Sequence, residues 1–357
     1  MHKKNPRGSI KAAGVVTNVG WQAFTAPPFL NALSRAAGRA ANKWVLRKPA
    51  TAVLLLGAAT AHAGPVGGQV TSGTASISQS GASTTITQSS QKASLNWKSF
   101  NVGAQESVNF VQPSASAIAV NRILDTQGSQ IMGQLNANGQ VYLINPNGVL
   151  FGAGAQVNVG GLVASTLDVK DADLGSAQRT FSGSGPGSVV NLGTLNAAPG
   201  GYIALIGNTV RNQGSINTPK GSAALAAGSA ATLTLQDNQL LKVVVDQSVL
   251  NSLAENGGLI RADGGQVFLS AGARDSLLAS VVNNSGVIQA RTVENRNGTI
   301  ILLGGMAAGT AKVAGTLDAS APNGGNGGFI ETSGAQVKIA NDARITTAAP
   351  AGTAAPG

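Results

Sequence analysis

The chain reads as an all-β protein wound into a right-handed parallel β-helix, with an N-terminal cap and a few strands outside the spiral. Three observations predict this. First, a short phrase recurs: a glycine, an apolar residue two places on, usually a leucine two places later, then another glycine. It begins at Gly139, Gly201, Gly221, Gly265, Gly298 and Gly328. The apolar pair at period two marks a short half-buried strand, and the glycines mark its corners. Second, another strand follows most of these units. Leu195, Ile216, Ile288 and Leu317 each lie two residues after Gly193, Gly214, Gly286 and Gly315, and Ile345 sits likewise after Ala343. Third, the composition suits short aliphatic strands: 48 of 357 residues are glycine, 4% are aromatic and 11% are charged. The core must therefore come from Val, Ile, Leu and Ala. Degenerate recurrence of this kind means one structural unit stacked on itself.

Each segment has its own reason. Residues 1–63 read as an extended signal peptide, with nine basic residues and no acidic ones. Residues 43–48 are basic, 50–60 are apolar, and Ala61-His62-Ala63 is a small-residue box that places cleavage between Ala63 and Gly64. The apolar run is too short for a permanent bilayer span. Residues 64–347 are the spiral. An open sheet end invites aggregation, so the first winding needs a cover. Residues 66–110 are assigned to it, because they alternate Ser and Thr with Ala and Ile and hold the aromatic cluster Trp97, Phe100 and Phe110.

Within the spiral, Val141, Ile203, Val267, Ile300 and Ile330 are expected to form one inward column. Leu143, Leu205, Leu225, Leu269 and Leu302 form another. Asn191, Asn212, Asn284 and Asn341 precede the second-strand corners, where a tolerance for left-handed backbone suits tight bends. Residues 232–257 break the rhythm and read as an excursion. In it, 232–235 and 242–245 pair as strands joined at 237–239, and 248–256 forms a short helix. A second short helix is expected over 274–282. Residues 348–357 are an Ala/Pro/Gly tail. At about 20–30 residues per winding and about 4.8 Å between windings, the spiral is expected to have about 10–14 windings and a length of roughly 50–65 Å.

Composition also excludes. The net charge of +10 belongs to the leader, since residues 64–357 carry 15 basic and 14 acidic residues. No basic stripe with interleaved aromatics remains, so a nucleic-acid partner is rejected. There is no cysteine, and both histidines, His2 and His62, lie in the leader. A Ser-His-Asp triad, a Cys-His pair and His- or Cys-ligated zinc are therefore excluded from the mature chain. No cofactor is implied and no catalytic residue is assigned. Asp168, Asp171 and Asp173 read as a solvated acidic loop rather than a calcium site. The segment 183–187 reads as a flexible hairpin loop, and Arg291, Glu294 and Arg296 as an exposed charged loop.

The sharpest local signal is Asn145-Pro146-Asn147-Gly148, which follows the strand Val141-Tyr142-Leu143-Ile144. Pro146 fixes φ, Asn147 and Gly148 accept left-handed geometry, and the Asn145 side chain can bond the backbone beyond it. Before it come Asn96-Trp97-Lys98-Ser99-Phe100-Asn101-Val102-Gly103, Ala119-Val120-Asn121-Arg122-Ile123 and Ser129-Gln130-Ile131-Met132-Gly133. After it comes Phe151-Gly152-Ala153-Gly154-Ala155-Gln156-Val157-Asn158-Val159-Gly160-Gly161-Leu162.

In this order and spacing the segments resemble the secretion domain of two-partner secretion exoproteins, the filamentous-haemagglutinin-like adhesins of Gram-negative bacteria. The likeness is strong over 66–170 and continues to Gly334. It implies a capped right-handed β-helix with extra-helical strands. It also implies a partner, an outer-membrane barrel transporter whose periplasmic POTRA domains recognise this domain and export it to the surface. Asn145, Pro146, Asn147 and Gly148 match the family's turn tied to stability and secretion. Gln112-Pro113-Ser114-Ala115 lacks the asparagines of a second such turn, as in the branch resembling high-molecular-weight adhesins. Two classes of function follow: a secreted, non-enzymatic adhesion or haemagglutination module with a host glycan or protein receptor (or a truncated secretion-domain fragment), and a β-helical polysaccharide-degrading enzyme. The second needs clustered carboxylates on one outer face, and the acidic residues here are thinly spread.

Overall fold

The computed structural model describes residues 64–236, 239–247, 251–272 and 280–350. Its architecture is a parallel β-helix of triangular section. Each winding lays one strand on each of three faces, and parallel crossovers of this kind are right-handed. The third face runs from Ser129–Ile131 through Val149–Phe151, Ser188–Asn191, Thr209–Asn212, Ser252–Asn256, Ser280–Asn284 and Gly309–Val313 to Gln336–Ile339. The second face runs from Ser83–Gln88 to Arg344–Thr346, and the first from Lys92–Trp97 to Phe329–Ser333. Two strands, Gln156–Ser165 and Thr194–Gly207, bend across the corner and serve the second and first faces in turn.

The inward columns fall where the spacing placed them. Val141, Leu162, Ile203, Ala223, Val267 and Ile300 stack rung on rung and are fully buried, with Ile330 partly buried at the end. Leu143, Ala164, Leu205, Leu225, Leu269 and Leu302 form the companion column. On the second face Leu135, Val157, Leu195, Ile216, Ile260, Ile288 and Leu317 do the same. Each fully buried aliphatic side chain contributes roughly 1.5–3 kcal/mol, so these ladders hold the spiral together.

The corner glycines are needed for close approach. A Cβ on Gly265 would stand 1.9 Å from the carbonyl oxygen of Gly221, and one on Gly221 would stand 2.0 Å from that of Gly201. Each winding thus rests backbone on backbone at this edge, where a side chain has no room.

Among the described residues the second face has ten rungs and the first nine, at the lower end of the 10–14 windings expected. Plain windings are short: Leu162 follows Val141 by 21 positions, and Ala223 follows Ile203 by 20. Residues are spent instead on two excursions. Asp168–Val169 and Gln178–Ser182 leave after one winding, Ala230–Gln236 and Gln239–Gln247 after another, and the four make an antiparallel sheet outside the first face. The pairing of the second excursion is as expected; the participation of Asp168 to Ser182 is a correction. A turn of 3-10 helix, Asp171–Gly175, lies between the first two strands.

One expected helix is also corrected, and a second is corrected only at its C-terminal end. Ser252–Asn256 is a strand of the third face, paired with Thr209–Asn212, while 248–250 lie outside the described residues. Val281 and Val282 lie in the strand Ser280–Asn284, and the rest of the second expected helix falls almost wholly outside the described residues.

At the N-terminal end, Gln69–Ser72 runs antiparallel on Lys92–Trp97 and Ala75–Ser80 runs antiparallel on Ser83–Gln88. These two strands cover the first rung of the first and second faces. Their reversed direction ends the parallel stack, which is the physical content of a cap.

Candidate functional site

The Asn-Pro-Asn-Gly turn is the corner between Gln140–Ile144 on the first face and Val149–Phe151 on the third. The Gly148 amide donates to the Asn145 carbonyl at 2.9 Å, closing the turn. Asn145 is fully buried. Its Oδ1 accepts from the Asn147 amide at 2.9 Å, and its Nδ2 donates to the Gln127 carbonyl and to Ser129 Oγ, both at 3.0 Å. Asn147 Nδ2 donates to the Asp125 carbonyl at 2.8 Å. Both side chains therefore reach back to the preceding corner, 125–129. Pro146 is exposed, and its carbonyl accepts from the Gly187 amide of the following corner at 3.0 Å.

Of the two residues expected in left-handed geometry, only Gly148 adopts it, with φ +112°. The segment 183–187 is no hairpin tip. It returns the chain from the outer sheet to the spiral and packs on the turn, where a Cβ on Gly187 would stand 2.2 Å from the Asn147 carbonyl carbon. The turn is thus bonded to the windings on both sides of it. The earlier corner uses Gln112, also buried, whose Oε1 accepts from the Gly139 amide and whose Nε2 donates to the Ala117 carbonyl.

Trp97 and Phe100 meet edge to face at 5.3 Å under the cap. Trp97 Nε1 donates to Asn121 Oδ1 at 2.9 Å, so the buried indole keeps its partner. Phe110 lies apart from them as a core residue, on the second-face strand Ser107–Val111. Gly64 is the first described residue, beside Thr84 and Glu106; Ala63 lies outside the described residues.

Three arrangements were not anticipated. The asparagines of the third face form a buried ladder: Asn191 Nδ2 donates to Asn212 Oδ1, Asn212 to Asn256 and Asn256 to Asn284, at 2.7, 2.8 and 2.8 Å. Their backbones are not left-handed. The amide ladder, and not bend geometry, explains the residue type. Asn341 stands outside it, exposed, because the register places Val313 and Ile339 after Asn284. A second ladder, Asn109, Asn136, Asn158, Asn196 and Asn217, climbs the outside of the second face at 2.9–3.2 Å.

The third arrangement is a polar knot beneath the outer sheet. Arg179, on Gln178–Ser182, is buried and donates through Nη1 to the Tyr142 hydroxyl. That hydroxyl lies 2.8 Å from the Tyr202 hydroxyl, which donates to Gln140 Oε1 at 2.7 Å. Burial first, and the neighbouring Tyr142 second, push the Tyr202 hydroxyl well above its ordinary pKa, so it stays a neutral donor. Gly161 makes the slot, since a Cβ there would stand 3.1 Å from the Tyr202 ring. The signal was present in Val141-Tyr142-Leu143-Ile144 and Ile203-Ala204-Leu205-Ile206. Strands with two buried faces read as unbroken apolar runs.

Charged groups are used in pairs. Arg122 binds Asp168 at 2.9 Å and Asp171 at 2.7 Å, tying the outer excursion to the spiral. Burial would lower the Arg122 pKa, but the two carboxylates outweigh it and hold it raised. Arg291 pairs with Asp263, and Lys220 with Glu294. No group of three or more His, Cys, Asp or Glu residues that could hold a metal occurs among the described residues.

A spiral with an antiparallel cap, an outer sheet on one face and corners fixed by buried amides is the geometry of a secretion domain. The chain belongs to the TPS secretion domain family, whose match covers residues 61–318. It is similar to the HMW1 secretion domain of Haemophilus influenzae, with 26% identity and a TM-score of 0.59 over 79% of this chain and 98% of that one. It is also 36% identical over 253 residues to a heme/hemopexin-binding protein of Haemophilus influenzae strain Rd, covering 67% of this chain and 27% of that protein. A second Haemophilus influenzae heme/hemopexin-binding protein is 36% identical over 240 residues, 61% of this chain and 26% of that protein. The match thus spans about a quarter of the length of these curated relatives.

Proposed function

We propose that this domain is the address label of a secreted, non-enzymatic exoprotein. In this reading the POTRA domains of a partner outer-membrane transporter recognise it in the periplasm, after residues 1–63 have been removed as a signal peptide. The transporter then delivers it to the surface of a Gram-negative cell. The observation that carries the reading is the family match over 61–318, which takes in the cap and all but the last three strands of the spiral. The named relatives bind heme and hemopexin. That favours a host protein or cofactor as the ligand of the whole exoprotein, over adhesion or haemagglutination. A polysaccharide-degrading role gains no support, since the salt-bridged carboxylates Asp168, Asp171, Asp263, Glu255 and Glu294 are committed to Arg or Lys partners.

The Asn145–Gly148 turn is assigned to stability and export. The test co-expresses the chain with a partner transporter and measures export of an Asn145→Ala, Asn147→Ala variant, alongside the melting temperature of the purified domain. Reduced export with a lowered melting temperature supports the assignment. Unchanged export and stability overturn it, and export of the parent chain without any transporter overturns the route.

A further inference from the structure

The antiparallel sheet outside the first face ends on an open edge. Gln239–Gln247 pairs with Ala230–Gln236 on one side and is the last strand in the sheet order. The direction of one amide shows which of its groups face outward. Leu235 donates to the Ala177 carbonyl, on the side of Gln178–Ser182. Backbone groups alternate along a strand, so Leu233 and Ala231 bond on that side too. Their opposite numbers, Val243 and Val245, therefore turn their N–H and C=O groups away from the sheet, while their side chains pack beneath it. The upper surface of the strand carries Lys242, Val244 and Asp246, all exposed. Asp246 stands at a bulge, but Thr232 Oγ1 donates to its Oδ2 at 2.6 Å and keeps the carboxylate on that surface. Its Oδ1 and the Lys242 ammonium have no partner among the described residues. The two charges are four positions apart on an extended strand, about 13 Å, so they cannot pair within one chain. Val244 lies between them, 37% exposed.

We infer that this edge pairs with the same edge of a second copy of the chain, antiparallel about a two-fold axis at Val244. In that register Val243 stands against Val245 of the second copy, which joins the outward-turned backbone groups. Lys242 stands against Asp246 of the second copy, and the symmetry makes that ion pair twice. Val244 meets Val244. The charges also exclude the neighbouring registers. Centring on Val243 or on Val245 loses both ion pairs, and centring on Lys242 sets like charges face to face, which is destabilising. Charges on an exposed edge ordinarily guard it against pairing; here their order is self-complementary, and it favours one partner in one register. A two-fold contact uses the same patch on both copies, so it closes at two and does not grow into a fibre. The pairing is independent of the export route proposed above.

The chain has no cysteine, so one introduced thiol reports cleanly. In Val244→Cys the two thiols would come from residues directly opposite one another, with Cα atoms about 4.5 Å apart, within reach of a disulfide. Oxidised glutathione should convert this purified variant to a covalent dimer. Leu241→Cys, also at an exposed position, would lie about 20 Å from its copy and should stay monomeric. Sedimentation of the parent over a wide range of concentration should show a reversible monomer–dimer equilibrium. Lys242→Glu should weaken it by about tenfold, and Lys242→Glu combined with Asp246→Lys should restore it. A parent that stays monomeric at every concentration, a Leu241→Cys chain that crosslinks as well as Val244→Cys, or a double variant as weak as the single one overturns the inference. Slowed exchange of the Val243 and Val245 amides in a monomeric chain, seen only when a transporter is added, would give the edge to that partner and likewise overturn self-pairing.

Discussion

Asn212 and Asn256 lie 44 positions apart and meet amide to amide at 2.8 Å inside the third face. Their contact joins two windings across the whole second excursion. The same relation links Asn191 to Asn212 and Asn256 to Asn284, so Asn212 both receives and gives. Asn212→Leu should strand the Asn256 oxygen in the core and leave the Asn191 amide only its longer bond to the Ser215 carbonyl, at 3.4 Å. Leaving buried polar groups unpaired costs about 1–3 kcal/mol. Urea unfolding should show a lowered midpoint with an unchanged slope; an unchanged midpoint would show the ladder to be inert.

Adjacent glycines give a sharper contrast. A Cβ on Gly258 would stand 2.2 Å from the Gly214 carbonyl oxygen, whereas one on the exposed Gly257 meets nothing closer than 3.6 Å. Gly258→Ala should destabilise by about 1–3 kcal/mol through overpacking. Gly257→Ala should be neutral, or stabilising by up to about 1 kcal/mol through the unfolded chain. Equal melting temperatures for the two variants would refute the close-approach account.

Arg179 pins the outer sheet through Tyr142. Arg179→Ala removes that pin without touching an inward column. Hydrogen exchange should rise in Ala230–Gln236, which pairs with the Arg179 strand, and stay unchanged in Gln266–Ala271 of the spiral. Uniform acceleration in both would mean that the outer sheet and the spiral open as one unit.

Asp263 gives an acid-side prediction. Burial would raise its pKa, but hydrogen bonds from the Arg291 side chain and backbone prevail and hold it lowered. A depressed folded-state pKa contributes stability above the unfolded value of about 3.9 that is lost as pH falls through the folded value. Asp263→Asn should therefore narrow the stability loss between pH 5 and pH 2, while lowering stability at pH 7. An identical pH profile for variant and parent would exclude the pair as an acid-sensitive contact.

The spiral was legible because its rule is local. Period-two aliphatics between glycines identify a rung, and stacking then repeats it. What the sequence hid is decided by partners. Asn256 and Gly258 belong to the same ladders as Asn212 and Gly214, yet Ser252-Leu253-Ala254-Glu255-Asn256 carries helix formers, and only the register with Thr209–Asn212 makes it a strand. The strand Gln178–Ser182 reads as a polar segment because its apolar partner, the outer surface of the first face, comes from windings tens of residues away. Arg179 looks like any solvated cation until Tyr142 and Tyr202 are brought beneath it. At the candidate turn, the Asn145-to-Asn147 bond could be foreseen from turn chemistry, but the reach of both side chains into 125–129 could not.

The antiparallel cap also gives the molecule a direction. Each rung finds its entire hydrogen-bonding edge already laid down by the rung before it, and the sealed end has no earlier rung to wait for. A chain presented from its N-terminus can therefore set itself winding by winding, like a zipper closed from one stop. The one built-in delay is the excursion, since Ser252–Asn256 can seat on Thr209–Asn212 only after Ala230–Gln247 has passed. Such one-way growth stores its progress: every seated rung is held by its neighbour and leaves a fresh edge facing forward.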